Sequence, residues 1–238
     1  LSLLTDTLRI SLSNGIKLQV ESDIPIGCGM GSSAAIILSV IYAISMHLRI
    51  RLSPEKLIHL ALQAENIQHG HSSGLDLRVV LQGGALYMRD QMIETRQAPA
   101  MPLYLVNTGV PLSTTGQCVE RVAPYFQSPC LGDEFASITN RMDAALQTNS
   151  YLGFQEAIRE NHRLLVRLGV VPERVQQFIS QIETQSGAAK VCGAGTIAGE
   201  QAGVVLVVTD NALTLQRLCA HFAYSLLPIC ESRGLRAI

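Results

Sequence analysis

Residues 7–12, Thr-Leu-Arg-Ile-Ser-Leu, alternate polar and apolar positions and predict a strand. Asn14-Gly15 predicts a hairpin turn, and Lys17 to Glu21 the returning strand, so the chain opens on strands that already belong to a domain. Beyond Pro25 the period changes. From Ala34 to Leu48 the chain is apolar almost throughout, which predicts a buried helix with Ser32 or Ser33 near its N-cap. Ser53-Pro54-Glu55 starts a second helix that runs to about Gln68, and Gly70 suits its C-terminal end. Leu57, Ala61 and Ala64 share one face of it, with the carboxylate of Glu65 beside them. A polar turn, His69 to Asp76, leads into a short helix from Leu77 to Leu81. Gly83-Gly84 ends that helix, and Ala85 to Met88 reads as a strand. Residues 90–101 are polar and carry proline, which predicts a crossing to a second domain.

In the second half, Leu103 to Asn107 is a buried strand, and Ser113-Thr114-Thr115 caps a helix. Helices follow at about 133–148 and 151–168, and Pro172 opens another that ends near Gly187. Lys190 to Cys192 is a short strand entering a glycine turn, Gly193-Ala194-Gly195. Gly203 to Thr209 is a strand, Asn211 caps a helix to about Ala220, and Tyr224 to Cys230 is the last strand. The order β-α-α-α-β-β-α-β predicts a split α+β sandwich. The chain therefore divides into a first domain at 1–100 and a second at 101–238.

Composition narrows the function classes. Hydrophobic residues make up 47% and charged residues 16%, which indicates a globular chain rather than a disordered one. Net charge is −1, and the only lysines are Lys17, Lys56 and Lys190, so there is no nucleic-acid footprint. Six scattered cysteines form no C-x-x-C pair, which favours free thiols in a reducing cytosol and hence a cytoplasmic location. The longest apolar run is too short to span a bilayer, and no secretory signal pattern is present.

The chemistry concentrates in residues 25–35, Pro25-Ile26-Gly27-Cys28-Gly29-Met30-Gly31-Ser32-Ser33-Ala34-Ala35. Alternating glycines let a backbone turn back and expose consecutive N–H groups. A glycine loop feeding a helix N-terminus suits an anion, polyphosphate above all. The plainer reading is a tight turn into a buried helix. The string is neither a Walker A loop nor a dinucleotide fingerprint.

Taken whole, P-x-x-x-G-M-G-S-S-A-A resembles the phosphate-binding loop of the GHMP kinases, the family of galactokinase, homoserine kinase, mevalonate kinase and phosphomevalonate kinase. Lys190-Val191-Cys192-Gly193-Ala194-Gly195 resembles the family's C-terminal K-x-x-G-A-G loop, although Thr196-Ile197-Ala198-Gly199-Glu200 follows where many members have glycines. The middle segment is similar to the mevalonate kinase branch: Glu65, then His69-Gly70, Ser73-Gly74-Leu75-Asp76, and Gly83-Gly84. Position 72 is serine where that branch usually has proline. Asn107 to Thr114 resembles its N-T-x-V-P-x-x-T, and Asn161-His162 through Leu168-Gly169-Val170 its helix ending in L-G-V. The likeness runs from about residue 18 to 208. The family's N-terminal P-G-K/R segment has no counterpart before Pro25, so the chain reads as a member lacking that motif, and the 238 residues alone are expected to lack efficient activity.

The resemblance implies the α+β GHMP kinase fold, with an incomplete N-terminal part like domain 2 of ribosomal protein S5 and a C-terminal ferredoxin-like α/β sandwich. It implies ATP-dependent phosphorylation of a small-molecule alcohol, with mevalonate the leading acceptor. The alternatives are a sugar, homoserine or phosphomevalonate as acceptor, or a non-catalytic ligand-binding protein of this fold. ATP and Mg²⁺ are the implied cofactors. Pro25, Gly27, Gly29, Met30, Gly31, Ser32 and Ser33 would bind the nucleotide together with Gly193, Ala194 and Gly195. Ser33 and Glu65 would hold Mg²⁺, which takes oxygen ligands and few of them from protein. Asp76 would orient or deprotonate the acceptor hydroxyl, and Ser73 and Thr114 would hydrogen-bond Asp76 or substrate. Each has a bland alternative: Asp76 and Thr114 as helix caps, Ser73 as a turn residue, Lys190 as a solvated strand end. His69 and His71, with no third ligand evident, read as turn residues. The expected partner is a small-molecule substrate, not nucleic acid or membrane, and homodimerisation is left open.

Overall fold

A computed structural model of the chain describes residues 2–8, 16–70, 72–89, 92–127, 129–229 and 233–236. Its internal contacts define two units, one of Leu1–Pro25, Gly31–Thr95 and Glu231–Ile238, the other of Ile26–Met30 and Arg96–Cys230.

The first unit is built on helices α1 (Ser2–Leu8), α2 (Ser32–His47), α3 (Pro54–His69) and α4 (Leu75–Gln82). Strands β1 (Ala85–Arg89) and β2 (Met92–Arg96) pair as a two-stranded sheet. Ala34, Leu38, Ile41 and Ile44 of α2 pack against Leu57, Leu60 and Ala61 of α3 and Leu77 of α4. Ser53 caps α3 by accepting the Lys56 N–H at 3.3 Å, with Pro54 in the first turn. Glu65 continues the buried stripe of α3 and is only 5% exposed.

Four expectations are corrected here. Thr7 lies in α1 rather than in a strand, while residues 9–15, with the expected Asn14-Gly15 turn, lie outside the described residues. Residues 16–21 are exposed and form no strand: alternation supplies a face, but a strand also needs a ladder partner, and the described residues offer none. The N-cap of α2 is Gly31, in the left-handed region at φ 67°, and the two serines are already helical. The supposed crossing contains β2, whose mostly exposed residues made it look like a polar linker.

The second unit runs β3 (Leu103–Asn107), α5 (Thr115–Val122), a 3-10 turn at Ala123–Gln127, α6 (Pro129–Gln147), α7 (Tyr151–Arg167), α8 (Glu173–Thr184), β4 (Ala188–Val191), β5 (Val204–Val208), α9 (Ala212–Phe222) and β6 (Ser225–Leu227). Four α-helices lie between β3 and β4, matching the four helices named from the sequence and one more than the order β-α-α-α-β-β-α-β counts. The strands form one antiparallel sheet in the order β4-β5-β3-β6, with Val106 opposite Val205 and Val205 opposite Val191. This is the split β-α-β arrangement of a ferredoxin-like sandwich. Alternate strand residues face opposite layers. Ala189, Val191, Val205 and Val207 pack against Val175, Phe178 and Ile179 of α8 and Leu215 and Cys219 of α9. Ala188 and Val208 meet Ala145 of α6 and Phe154 and Ile158 of α7.

Five described cysteines, Cys28, Cys118, Cys130, Cys192 and Cys219, are free thiols. Among the described residues no helix is long and apolar enough to cross a membrane.

His162 of α7 gives this unit a pH dependence. It is 8% exposed, and burial, aided by Arg163 and Lys190, pushes its pKa down to about 4. Acid therefore protonates the unfolded chain first. The associated stability is present above the ordinary histidine range and is lost as pH falls towards 4, in total roughly 3 kcal/mol. Thermal melts from pH 7 to 4.5 should show a steep fall in Tm that His162→Gln makes shallower. An identical slope in the variant would remove His162 from the account.

Candidate functional site

The string from Pro25 to Ala35 passes from one unit to the other. Ile26–Met30 belongs to the second unit and Gly31 opens α2 of the first. In the second unit two glycine turns meet backbone to backbone. A Cβ on Gly29 would lie 2.8 Å from the Cys192 carbonyl oxygen, and one on Gly193 would lie 2.8 Å from the Gly29 Cα. Any side chain at either position would separate the loops, which is the physical reason both are glycine. The Val204 N–H donates to the Cys28 carbonyl at 2.9 Å, so β5 also holds the loop.

The segment after β3 is tied to the same region. The Thr108 hydroxyl donates to the Gly203 carbonyl at 2.7 Å and accepts the Ala202 N–H at 3.0 Å. Thr196, 1% exposed, lies 3.0 Å from the Ser113 hydroxyl, which also accepts the Ile197 N–H at 3.2 Å. Thr196 thereby ties the stretch that follows the second glycine turn to the start of α5. Thr114 forms a reciprocal capping box with Gln117 at the start of α5, its hydroxyl oxygen accepting the Gln117 N–H. Its hydroxyl proton is not used by the cap. Ala194 is half-buried, Gly195 is buried, and Lys190 lies within β4 rather than past a strand end.

In the first unit the start of α2 faces Asp76. A Cβ on Gly31 would sit 3.5 Å from the Asp76 Cγ and 3.6 Å from its Oδ2. Asp76 is not a cap: Gly74, at φ 73°, is the N-cap of α4, and Asp76 lies in the first helical turn. Desolvation by surrounding protein atoms raises the Asp76 pKa above the ordinary aspartate value, although the residue remains exposed on its outer side. Its carboxylate and the positive end of the α2 dipole thus share one neighbourhood.

Glu65 supplies a buried carboxylate. The Ser72 hydroxyl donates to Glu65 Oε2 at 2.5 Å. No cationic side chain pairs with Glu65 among the described residues. A buried carboxylate contacted by a hydroxyl is a donor set suited to a hard divalent cation. Ser73 is exposed, and its hydroxyl accepts the Leu75 N–H at 3.3 Å in a turn. The His69 side chain and His71 lie outside the described residues. The sequence candidates thus fall on both units: Pro25, Gly31, Ser32, Ser33, Glu65, Ser73 and Asp76 on the first, and Gly27, Gly29, Met30, Thr114, Gly193, Ala194 and Gly195 on the second. Ser72 and Thr196 were not among those candidates. The one available signal was serine in place of proline, or threonine in place of glycine.

Residues 2–84 match the family model "GHMP kinases N terminal domain". The mevalonate kinase of Pyrococcus abyssi is 30% identical over 195 residues, covering 76% of this chain and 57% of that protein. The chain thus spans a little over half the length of the curated relatives it matches. The crystal structure of Methanococcus jannaschii mevalonate kinase shares the fold, with a TM-score of 0.77 at 22% identity over 98% of this chain and 73% of the other. Streptococcus pneumoniae phosphomevalonate kinase, in complex with phosphomevalonate and AMPPNP, aligns with a TM-score of 0.72 at 17% identity over 97% of this chain and 79% of the other. Residues 2–84 thus carry the GHMP kinase N-terminal domain, and the chain as a whole is similar to GHMP kinases in sequence and in fold.

Proposed function

We propose that the full-length protein transfers the γ-phosphoryl group of ATP to a small-molecule alcohol, and that the alcohol is mevalonate. The observation that carries the reading is the Asp76 carboxylate set against Gly31 at the start of α2. Phosphoryl transfer needs a phosphate cradle, charge neutralisation and a group that takes the acceptor proton. Gly31, in the left-handed region, and the N-terminus of α2 suit the first. Asp76 suits the last, since partial desolvation by neighbouring protein atoms raises its pKa and makes it a better base than an ordinary aspartate. Glu65 and Ser33 are the residues that would hold Mg²⁺, which when bound neutralises charge on the phosphates. Ser73 and Thr114 would orient substrate, Thr114 through the hydroxyl proton its cap leaves unused. The mevalonate-kinase-like run from Glu65 to Asp76 and the similarity to the P. abyssi enzyme support mevalonate over other acceptors. The free thiols support a cytoplasmic setting.

ADP release should be compared for mevalonate, 5-phosphomevalonate, galactose and homoserine with the full-length protein and Mg-ATP. The reading expects mevalonate to lead in kcat/KM by about a hundredfold or more. A faster rate with another acceptor would reassign the substrate. No acceleration by any of them would favour a ligand-binding role.

A further inference from the structure

We propose that Ser72 is a positioning residue that fixes how Glu65 is presented to a divalent cation. The inference rests on the reading that Glu65 ligates that cation. Ser72 is held at three points: its backbone N–H donates to Asn66 Oδ1 at 2.8 Å, its hydroxyl oxygen accepts the Gly74 N–H at 3.0 Å, and its hydroxyl proton goes to Glu65 Oε2 at 2.5 Å. A hydroxyl carries a single proton. With the Gly74 N–H on the oxygen, rotating that proton away from Glu65 would break the arrangement. Ser72 therefore engages Oε2 and leaves Oε1 as the carboxylate oxygen it does not touch.

The site is nearly dry. Glu65 is 5% exposed, so water cannot substitute freely for a lost donor. A proline at position 72, as in the pattern this chain resembles, would offer neither the hydroxyl nor the N–H. This chain replaces a rigid ring with a hydrogen-bonded clamp running from Asn66 through Ser72 to Glu65 on α3, and on to Gly74 at the start of the helix that carries Asp76.

The test uses Mn²⁺ as the probe, titrated by EPR into the full-length protein saturated with AMPPNP. Glu65→Gln and Ser72→Ala should both weaken Mn²⁺ binding, Ser72→Ala by about tenfold, as is common when a partner of a metal ligand is removed. Ser72→Thr, which keeps the hydroxyl, should stay near wild type. Metal-free AMPPNP affinity should not change in Ser72→Ala, which separates positioning from general damage. If Ser72→Ala does not fold, Ser72→Cys carries the test, and its weaker donor should give an intermediate affinity. Wild-type Mn²⁺ affinity in Ser72→Ala or Ser72→Cys, with loss in Glu65→Gln, would overturn the role of Ser72 alone. Unchanged affinity in Glu65→Gln would overturn both this role and the assignment of Glu65.

Discussion

Asp76→Asn should lower kcat by about a thousandfold while nucleotide affinity stays within about twofold of wild type. The amide matches the carboxylate in shape and keeps the contact beside Gly31, but it cannot accept a proton. A wild-type rate in a coupled ADP assay would return Asp76 to a purely structural role.

Gly31→Val should reduce AMPPNP affinity well over tenfold, read by titration calorimetry on the full-length protein. Gly31 caps α2 at φ 67°, a conformation that costs a β-branched residue on the order of 1–2 kcal/mol. The added Cβ would also lie 3.5 Å from the Asp76 Cγ, and the valine methyls would extend beyond it. They would fill the space between the start of α2 and Asp76, where the reading places the phosphates. The strain is local and the core of α2 lies further along the helix, so Tm should fall by only a few degrees. Unchanged affinity would mean that the cradle lies elsewhere.

Helices α2 and α3 were legible because their signals are local. A run of apolar residues, a serine followed by proline, and a three-to-four residue stripe can all be read within one window. The second-half sandwich was legible for a related reason: its strands are short apolar runs set off by glycine and polar caps. The opening strands were not. A period of two says which side chains share a face, but not whether another strand is there to pair, and residues 16–21 form no strand. β2 was hidden because Glu94, Thr95 and Arg96 read as a polar linker until their pairing with β1 is known.

Of the site, Glu65 and Asp76 could be named because each is a carboxylate at a telling place, one on an apolar stripe and one just past a glycine turn. Hydroxyl contacts that only the fold creates could not. Thr196 and Ser113 are 83 residues apart and meet only in the fold. Ser72 departs little from the pattern around it, and only the fold brings its hydroxyl to Glu65.

The most direct test of the central claim is ³¹P NMR of the full-length protein with Mg-ATP and mevalonate. The account predicts that the γ-phosphoryl signal of ATP is replaced one for one by a phosphomonoester signal and by ADP, and that Asp76→Asn nearly abolishes the conversion. Formation of ADP with inorganic phosphate alone, or bound ATP that persists unchanged beside mevalonate, would contradict it.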